Sequence, residues 1–424
     1  MKHQLMIAIA ATILPVLGGC TVKNQPAADF VPPQRLEIGV PKAHFPLDLE
    51  RQEFLSPSQA HFRRVPNTWT WTSDVEHVIE KTEKKLIVLA DGDPAYYMCG
   101  DTVPADREFE LFPYHYYDEW EVEQLGGQVN YKMIAQNRTN EYLTIEIKGA
   151  GTVTNWDNHI TWRDALAGKG KRTITLKPGE SVTLWEEKQL KGGLPWSGVF
   201  LGSASGDLFV ADYCYLGEED PGIDNAEPMP DLSWPPYLLA SFSRGGTDWN
   251  AAEIDLFPQR RNHNNRIKMS ECDDRISSFA FAYSPGGPIT DLCRYNAVAP
   301  TWVDDYFSVK DPLSQWSHPF FGGNYPVMYR FRLPLINDTD RYQTLNFYLA
   351  SNDRFGVDTL AGVWIDGQML NDRVALWKKN EHWRIFSVTL APGEEYEQAF
   401  VVVPLGSRWG GMIGSVEIVE TPTD

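Results

Sequence analysis

Amide, carboxylate and imidazole groups crowd one short stretch of the chain, Asn155-Trp156-Asp157-Asn158-His159, with Trp162 and Arg163 close behind. An indole face stacks on a sugar ring while neighbouring carboxylates and amides bond its hydroxyls. Trp156, Asp157, His159 and Trp162 therefore form a candidate glycan platform on a loop. The competing reading is a packed turn whose Asn and Asp bond the local backbone. Acids also sit beside aromatics at Asp118, Glu119 and Glu121, at Asp248, and at Asp304 and Asp305. Two carboxylates held a few ångströms apart in a groove cleave glycosidic bonds without any local motif. A strand edge with its apolar face inward and its acids in water produces the same pattern.

Other chemistries lack their residues. No H-E-x-x-H, H-x-H or C-x-x-C occurs, which disfavours a metal enzyme. Gly202-Ser203-Ala204-Ser205-Gly206 has the wrong order for a nucleophile elbow and reads as a hairpin turn between Val199 to Leu201 and Leu208 to Tyr213. A phosphate-cradling G-x-x-x-x-G-K-[ST] is missing as well. The expectation is a chain without cofactor or metal, leaning away from catalysis.

The elements that would position the Trp156 loop are strands. Asn137-Arg138-Thr139-Asn140-Glu141-Tyr142-Leu143-Thr144 recurs as Asn337-Asp338-Thr339-Asp340-Arg341-Tyr342-Gln343-Thr344, sharing N-x-T-x-x-Y-x-T. Downstream, Thr173-Ile174-Thr175-Leu176-Lys177-Pro178-Gly179-Glu180 recurs as Ser387-Val388-Thr389-Leu390-Ala391-Pro392-Gly393-Glu394. Upstream, Gly126-Gly127 and Tyr131 are echoed by Gly322-Gly323 and Tyr329. Three elements in one order predict two related domains. Tyr142 to Ile147 and Leu345 to Leu349 are rich in strand formers, and the Asn/Asp octets before them carry turn chemistry. Asp366-Gly367 between apolar runs signals a hairpin. The fold class is all-β, with two tandem antiparallel sandwiches and few short helices. The best helix candidate is Ser73 to Lys85, where Ser73 and Glu76 make a capping box and Val75, Val78 and Ile79 share a face.

Gly217 to Pro236, acidic and Pro-rich, reads as a linker, placing one sandwich over 65–216 and the other over 237–424. Residues 34–64, with Phe45-Pro46-Leu47, read as an extended leader lying across the first sandwich. The 15 Trp, 18 Tyr and 20 Phe suit β-rich interiors and sugar-facing surfaces. With Lys and Arg at 38 against 57 Asp and Glu, the net charge of −19 repels phosphate backbones, so nucleic acid is not an expected partner.

Lys2 and His3 precede the apolar run Leu5 to Leu17, which is too short to span a bilayer and has the dimensions of a signal-peptide core. The run ends in Leu17-Gly18-Gly19-Cys20, which resembles the lipobox of bacterial lipoproteins. The resemblance implies cleavage before Cys20, lipidation of Cys20 and, with Thr21 next, sorting to the outer membrane of an organism that has one. Val22 to Pro33, polar and Pro-rich, then reads as a tether, with the lipid as the sole membrane contact. Loss of residues 1–19 takes the net charge from −19 to −20. Cys99, Cys214, Cys272 and Cys293 remain, an even number that favours two disulfides in an exported chain, Cys99 with Cys214 and Cys272 with Cys293. Four buried thiols are the alternative.

The order of strand, turn, Ile145 to Gly149, polar loop, then TITLKPGES and much later Gly322-Gly323-Asn324-Tyr325 is similar to a family of secreted bacterial proteins with paired β-sandwiches and no assigned activity. The resemblance implies the fold and no chemistry. Two functions compete on this scaffold. One is a non-catalytic surface lipoprotein that recognises a neutral glycan or an envelope protein through its loops. The other is a glycan-active enzyme using an acid pair, and a structural assembly subunit is a third reading.

Overall fold

Leu143, Ile145 and Ile147 alternate with Thr144, Glu146 and Lys148, and the strand they form buries the first set and exposes the second. The computed structural model describes residues 34–38, 44–46, 52–54, 60–64, 68–76, 81–82, 85–86, 96–116, 129–228, 243–247, 251–272, 276–281, 328–351, 359–365, 368–370, 374–376, 381–404 and 412–421. Strands dominate them, as expected. The first set comprises β1 (Thr68–Glu76), β2 (Tyr96–Val103), β3 (Glu108–Tyr116), β4 (Val129–Gln136) and β5 (Leu143–Val153). After the helix α1 (His159–Leu166) come β6 (Arg172–Leu176), β7 (Ser181–Leu190), β8 (Trp196–Ala204) and β9 (Leu208–Leu216). They form two sheets, β6-β5-β8-β3-β1 and β7-β4-β9-β2, whose inward side chains make one shared interior.

The second set comprises β10 (Ala251–Leu256), β11 (Ile276–Phe281), β12 (Met328–Ile336), β13 (Gln343–Ser351) and β14 (Thr359–Ile365), then β15 (Glu381–Leu390), β16 (Glu395–Pro404) and β17 (Met412–Glu420). Sheets β15-β13-β17-β11 and β14-β16-β12-β10 enclose a second interior, where Phe331 stacks on Phe400 with centroids 4.6 Å apart. Strand β14 also pairs antiparallel with Gln368–Met369, a register that leaves two residues between them, Asp366 and Gly367.

The recurring octets do the same work in both sets. Asn137 is fully buried, and its side-chain oxygen accepts the Thr139 N–H at 3.0 Å and hydroxyl at 2.7 Å. Its amide nitrogen donates to the carbonyls of Glu141 at 2.7 Å and Leu176 at 3.1 Å. Asn337 repeats this with Thr339 at 3.1 and 2.7 Å, Arg341 at 2.7 Å and Leu390 at 2.9 Å. The Pro-Gly turns close alike too: the Gly179 N–H donates to the Asn137 carbonyl, and the Gly393 N–H to that of Asn337. Both glycines are left-handed, with φ of 78° and 73°, where a side chain would be strained. Each octet and each Pro-Gly turn carries the chain from one sheet to the facing sheet, so the two motifs lie side by side as a pair of arches at one end of each interior. Flanking strands pair in the same order: β5 between β6 and β8, and β13 between β15 and β17.

Several expectations are corrected. Ser73 lies in a strand, not at a helix start. The alternation of Thr68 to Ser73 has a period of two, and beyond it Lys81–Thr82 and Lys85–Leu86 pair as a small antiparallel ladder. The turn after Ala204 is not a hairpin, because β8 and β9 belong to different sheets. The leader does not join the first sheets. Leu36–Ile38 and His44–Pro46 pair with β15, Gln52–Phe54 with β11, and Ala60–Arg64 with β10. Conversely Ser243–Thr247, expected in the second sandwich, pairs with β1 in the first. Strand edges at both sets are thus covered by segments distant in sequence.

The start of the acidic linker is not free. Glu227–Pro228 pairs with β2, and Ile223 and Ala226 pack on Phe209, Tyr213 and Tyr215. Burial raises the Asp220 carboxyl, but bonds from Lys132, the Gly222 N–H and the Tyr213 hydroxyl outweigh it and hold the group below its usual range. Residues 229–236 lie outside the described residues.

Candidate functional site

The Trp156 loop is positioned by the helix α1 immediately after it. A bulge in β5 between Ile147 and Gly149 shifts the alternation, so that Gly149 and Gly151 turn to α1. A Cβ on Gly149 would lie 1.9 Å from the Ala165 carbonyl oxygen, and one on Gly151 would lie 2.2 Å from that of Thr161. Only bare backbone admits the helix this closely. The other face of α1 joins a cluster continuous with the second interior, where Trp162 lies 6.0 Å from the ring of Phe112. In the turn before α1 the Asn155 side-chain oxygen accepts the Asp157 N–H at 2.6 Å, and Trp156 projects at the tip, 55% exposed.

The expected platform is therefore divided. Trp156 and the partly buried Asp157 face outward, whereas His159 and Trp162 are buried on the helix at 7% and 1% exposure. The segment expected to be a loop throughout becomes a helix from His159, because Thr161, Trp162 and Ala165 fall on one apolar face. Asn158 is buried with them, and its carbonyl accepts the Thr161 hydroxyl at 2.6 Å.

Sequence reasoning missed a second constellation. Asp212 on β9 has no solvent exposure. One carboxylate oxygen accepts the Ser73 hydroxyl at 2.9 Å and the Cys99 N–H at 3.0 Å, and the other meets His115 Nε2 at 2.9 Å and the Tyr131 hydroxyl at 3.2 Å. His115 packs between Tyr131 and Trp196, with centroids 5.4 and 5.3 Å away. Burial and then Asp212 push the Tyr131 hydroxyl up. A hydrolytic triad needs its serine bonded to the imidazole, but here Ser73 and His115 both point at the acid. All four side chains have zero solvent exposure. The cluster instead bonds the two facing sheets together, with Ser73 and His115 from one and Tyr131 and Asp212 from the other. Its residues are scattered from 73 to 212, so no local motif announces it.

The expected disulfide between Cys99 and Cys214 does not form; both are buried thiols on neighbouring strands. Cys99 stands opposite Asp212 and Cys214 opposite Tyr96, so the two cysteines are diagonal and not directly opposite; diagonal neighbours in a ladder stand about 7–8 Å apart, farther than a disulfide ordinarily spans. Burial, then Asp212, raises the Cys214 thiol above its usual value, which disfavours the thiolate. The expected partner of Cys272, Cys293, lies outside the described residues, as do Cys20 and the acids at 118, 119, 121, 248, 304 and 305. Trp196 is fully buried and Trp383 is 9% exposed. Among the described residues no three His, Cys, Asp or Glu side chains converge as a metal site, and no helix is long and apolar enough to cross a membrane.

No family model matches the chain, and no curated protein matches it. Among solved structures it is similar to the exported protein XepA of PBSX, at 11% identity over 80% of this chain and 94% of that one, with a TM-score of 0.16. An anti-sigma factor domain-containing protein from Clostridium clariflavum is 12% identical over 84% of this chain and 94% of its own, with a TM-score of 0.18. A third likeness, at 8% identity over 77% of this chain and 95% of that one, is to the Macrobrachium rosenbergii nodavirus, with a TM-score of 0.16. At these TM-scores none of the three carries an argument about function.

Proposed function

We propose that this chain is a non-catalytic, lipid-anchored envelope protein, built on a duplicated β-sandwich, that recognises a neutral glycan or an envelope protein through the loop carrying Trp156. The observation that carries the reading is the contrast between two clusters. An indole is held more than half exposed at the tip of a turn braced by a packed helix. The imidazole, carboxylate and hydroxyls that could have done chemistry are sealed and spent on joining sheets. An exposed indole with Asp157 beside it offers a stacking face and a hydrogen-bond acceptor, which is what a sugar ring takes up. The net charge of −19 favours an uncharged or cationic partner for this face.

Two experiments test the proposal. Wild-type protein applied to an array of neutral polysaccharides binds at least one; silence across the array ends the glycan reading. For the anchor, Cys20→Ala moves the protein from the detergent phase to the aqueous phase, and continued detergent partitioning would contradict lipidation at Cys20.

A further inference from the structure

The outer face of the second sheet pair carries a feature that a chain of net charge −19 does not lead one to expect. On β12 the alternation buries Tyr329, Phe331 and Leu333 and turns Arg330, Arg332 and Pro334 outward. Beside them β10 turns out Glu253 and Asp255, and the segment after β10 folds over as a wall. That wall is rigid. The Asn262 side-chain oxygen accepts the N–H groups of Asn264 at 3.0 Å and Arg266 at 2.9 Å, and Asn265 takes the left-handed conformation at φ 61°. Between wall and sheet lies a groove of about 780 Å³, lined by four arginines against three carboxylates.

Most of these charges are already matched. Arg332 bonds Glu397 through two nitrogens, Arg266 meets Glu395 at 3.1 Å, and Arg261 pairs with Asp255 and with Asn265 at 2.9 Å. A surface ladder of ion pairs explains those three arginines and adds little stability. It does not explain Arg330. That guanidinium lines the groove and forms no ion pair with any described residue, although Glu253 stands opposite it in the register. Nearby, the Arg261 Nε–H is buried without an acceptor among the described residues.

We propose that this groove binds an acidic sugar, a hydroxyl-rich ligand bearing a single carboxylate, with Arg330 taking the carboxylate. The planar guanidinium matches a carboxylate with two parallel bonds. Glu397 lines the groove where it can accept sugar hydroxyls, and the Asn264 amide where it can donate to them. Three carboxylates in the lining repel a dianion such as phosphate and tolerate one negative charge. Net charge does not forbid this, because exposed charges farther off than about 8 Å are largely screened at physiological salt. The site is separate from the Trp156 loop and stands whether or not that loop binds a glycan.

The test is calorimetric titration of the full chain in detergent with cellobiouronate, which carries one carboxylate, with its neutral counterpart cellobiose, and with inorganic phosphate. Cellobiouronate binds and the other two do not. Arg330→Gln weakens binding at least tenfold without moving the melting temperature, since it removes no existing ion pair, and Trp156→Ala leaves binding unchanged. No heat with cellobiouronate, equal affinity in Arg330→Gln, or equal binding of cellobiose or phosphate would each overturn the proposal.

Discussion

Replacing Asp212 by Asn keeps the shape of the side chain and removes its charge, which tests whether the sealed cluster holds the two sheets together. Asp212 accepts four bonds with no solvent exposure. In the better orientation an amide keeps His115 and Tyr131 on its oxygen and turns its nitrogen to Ser73 and Cys99. The Ser73 hydroxyl can rotate to accept, but the Cys99 N–H cannot. One orphaned buried N–H costs about 1–3 kcal/mol, and three charge-assisted bonds reduced to neutral ones lose about 1 kcal/mol each. The total is about 4–6 kcal/mol, a large part of the ~5–15 kcal/mol that typically holds a protein folded. Urea unfolding of wild type and Asp212→Asn measures it. Asp207→Asn serves as the control, because Asp207 accepts the Ala105 N–H at 2.9 Å in an exposed setting and its loss stays within about 1 kcal/mol. A loss below about 1 kcal/mol in Asp212→Asn would refute the clamp and reopen the question of what the buried acid is for.

The paired arches make a symmetrical prediction. Asn137→Ala and Asn337→Ala each strip the same bonds from a fully buried site, so each lowers stability by about 2–4 kcal/mol in urea unfolding, and the two losses agree within about 1 kcal/mol. A neutral result at either position would show that the shared motif is not shared work. Cys99 and Cys214 are buried thiols, so native protein resists iodoacetamide at both, and unfolding without reductant exposes both to labelling. Failure to label until a reductant is added would restore the disulfide.

What the sequence discloses here is what is local. The arches are readable because Asn, Thr, Pro and Gly act on their own neighbours, and the strands after them because Leu143, Ile145 and Ile147 alternate with polar residues. A turn residue does not say whether its flanking strands pair with each other. Ser205 to Asp207 is thus recognisable as a turn but not as a crossing between sheets. Exchange of edge strands is less accessible still, since Leu36–Ile38 finds its partner about 350 residues away. Ser73 misleads because a capping pattern of Ser and Glu outweighs the Thr and Trp alternation before it. At the candidate site the exposed tip at Trp156 is legible. Burial of His159 and Trp162 is not, because it depends on two glycines of β5 admitting a helix.

The exposed indole of Trp156 is the centre of the proposed function. Its direct test is titration of wild type and Trp156→Ala with the best neutral glycan from the array, alongside melting curves of both proteins. Loss of the stacking face weakens binding at least tenfold, about 1.4 kcal/mol or more, while a surface substitution of this kind leaves stability within about 0.5 kcal/mol. Unchanged affinity, or a fall of several degrees in melting temperature, would contradict the assignment of Trp156 as a contact rather than a structural residue.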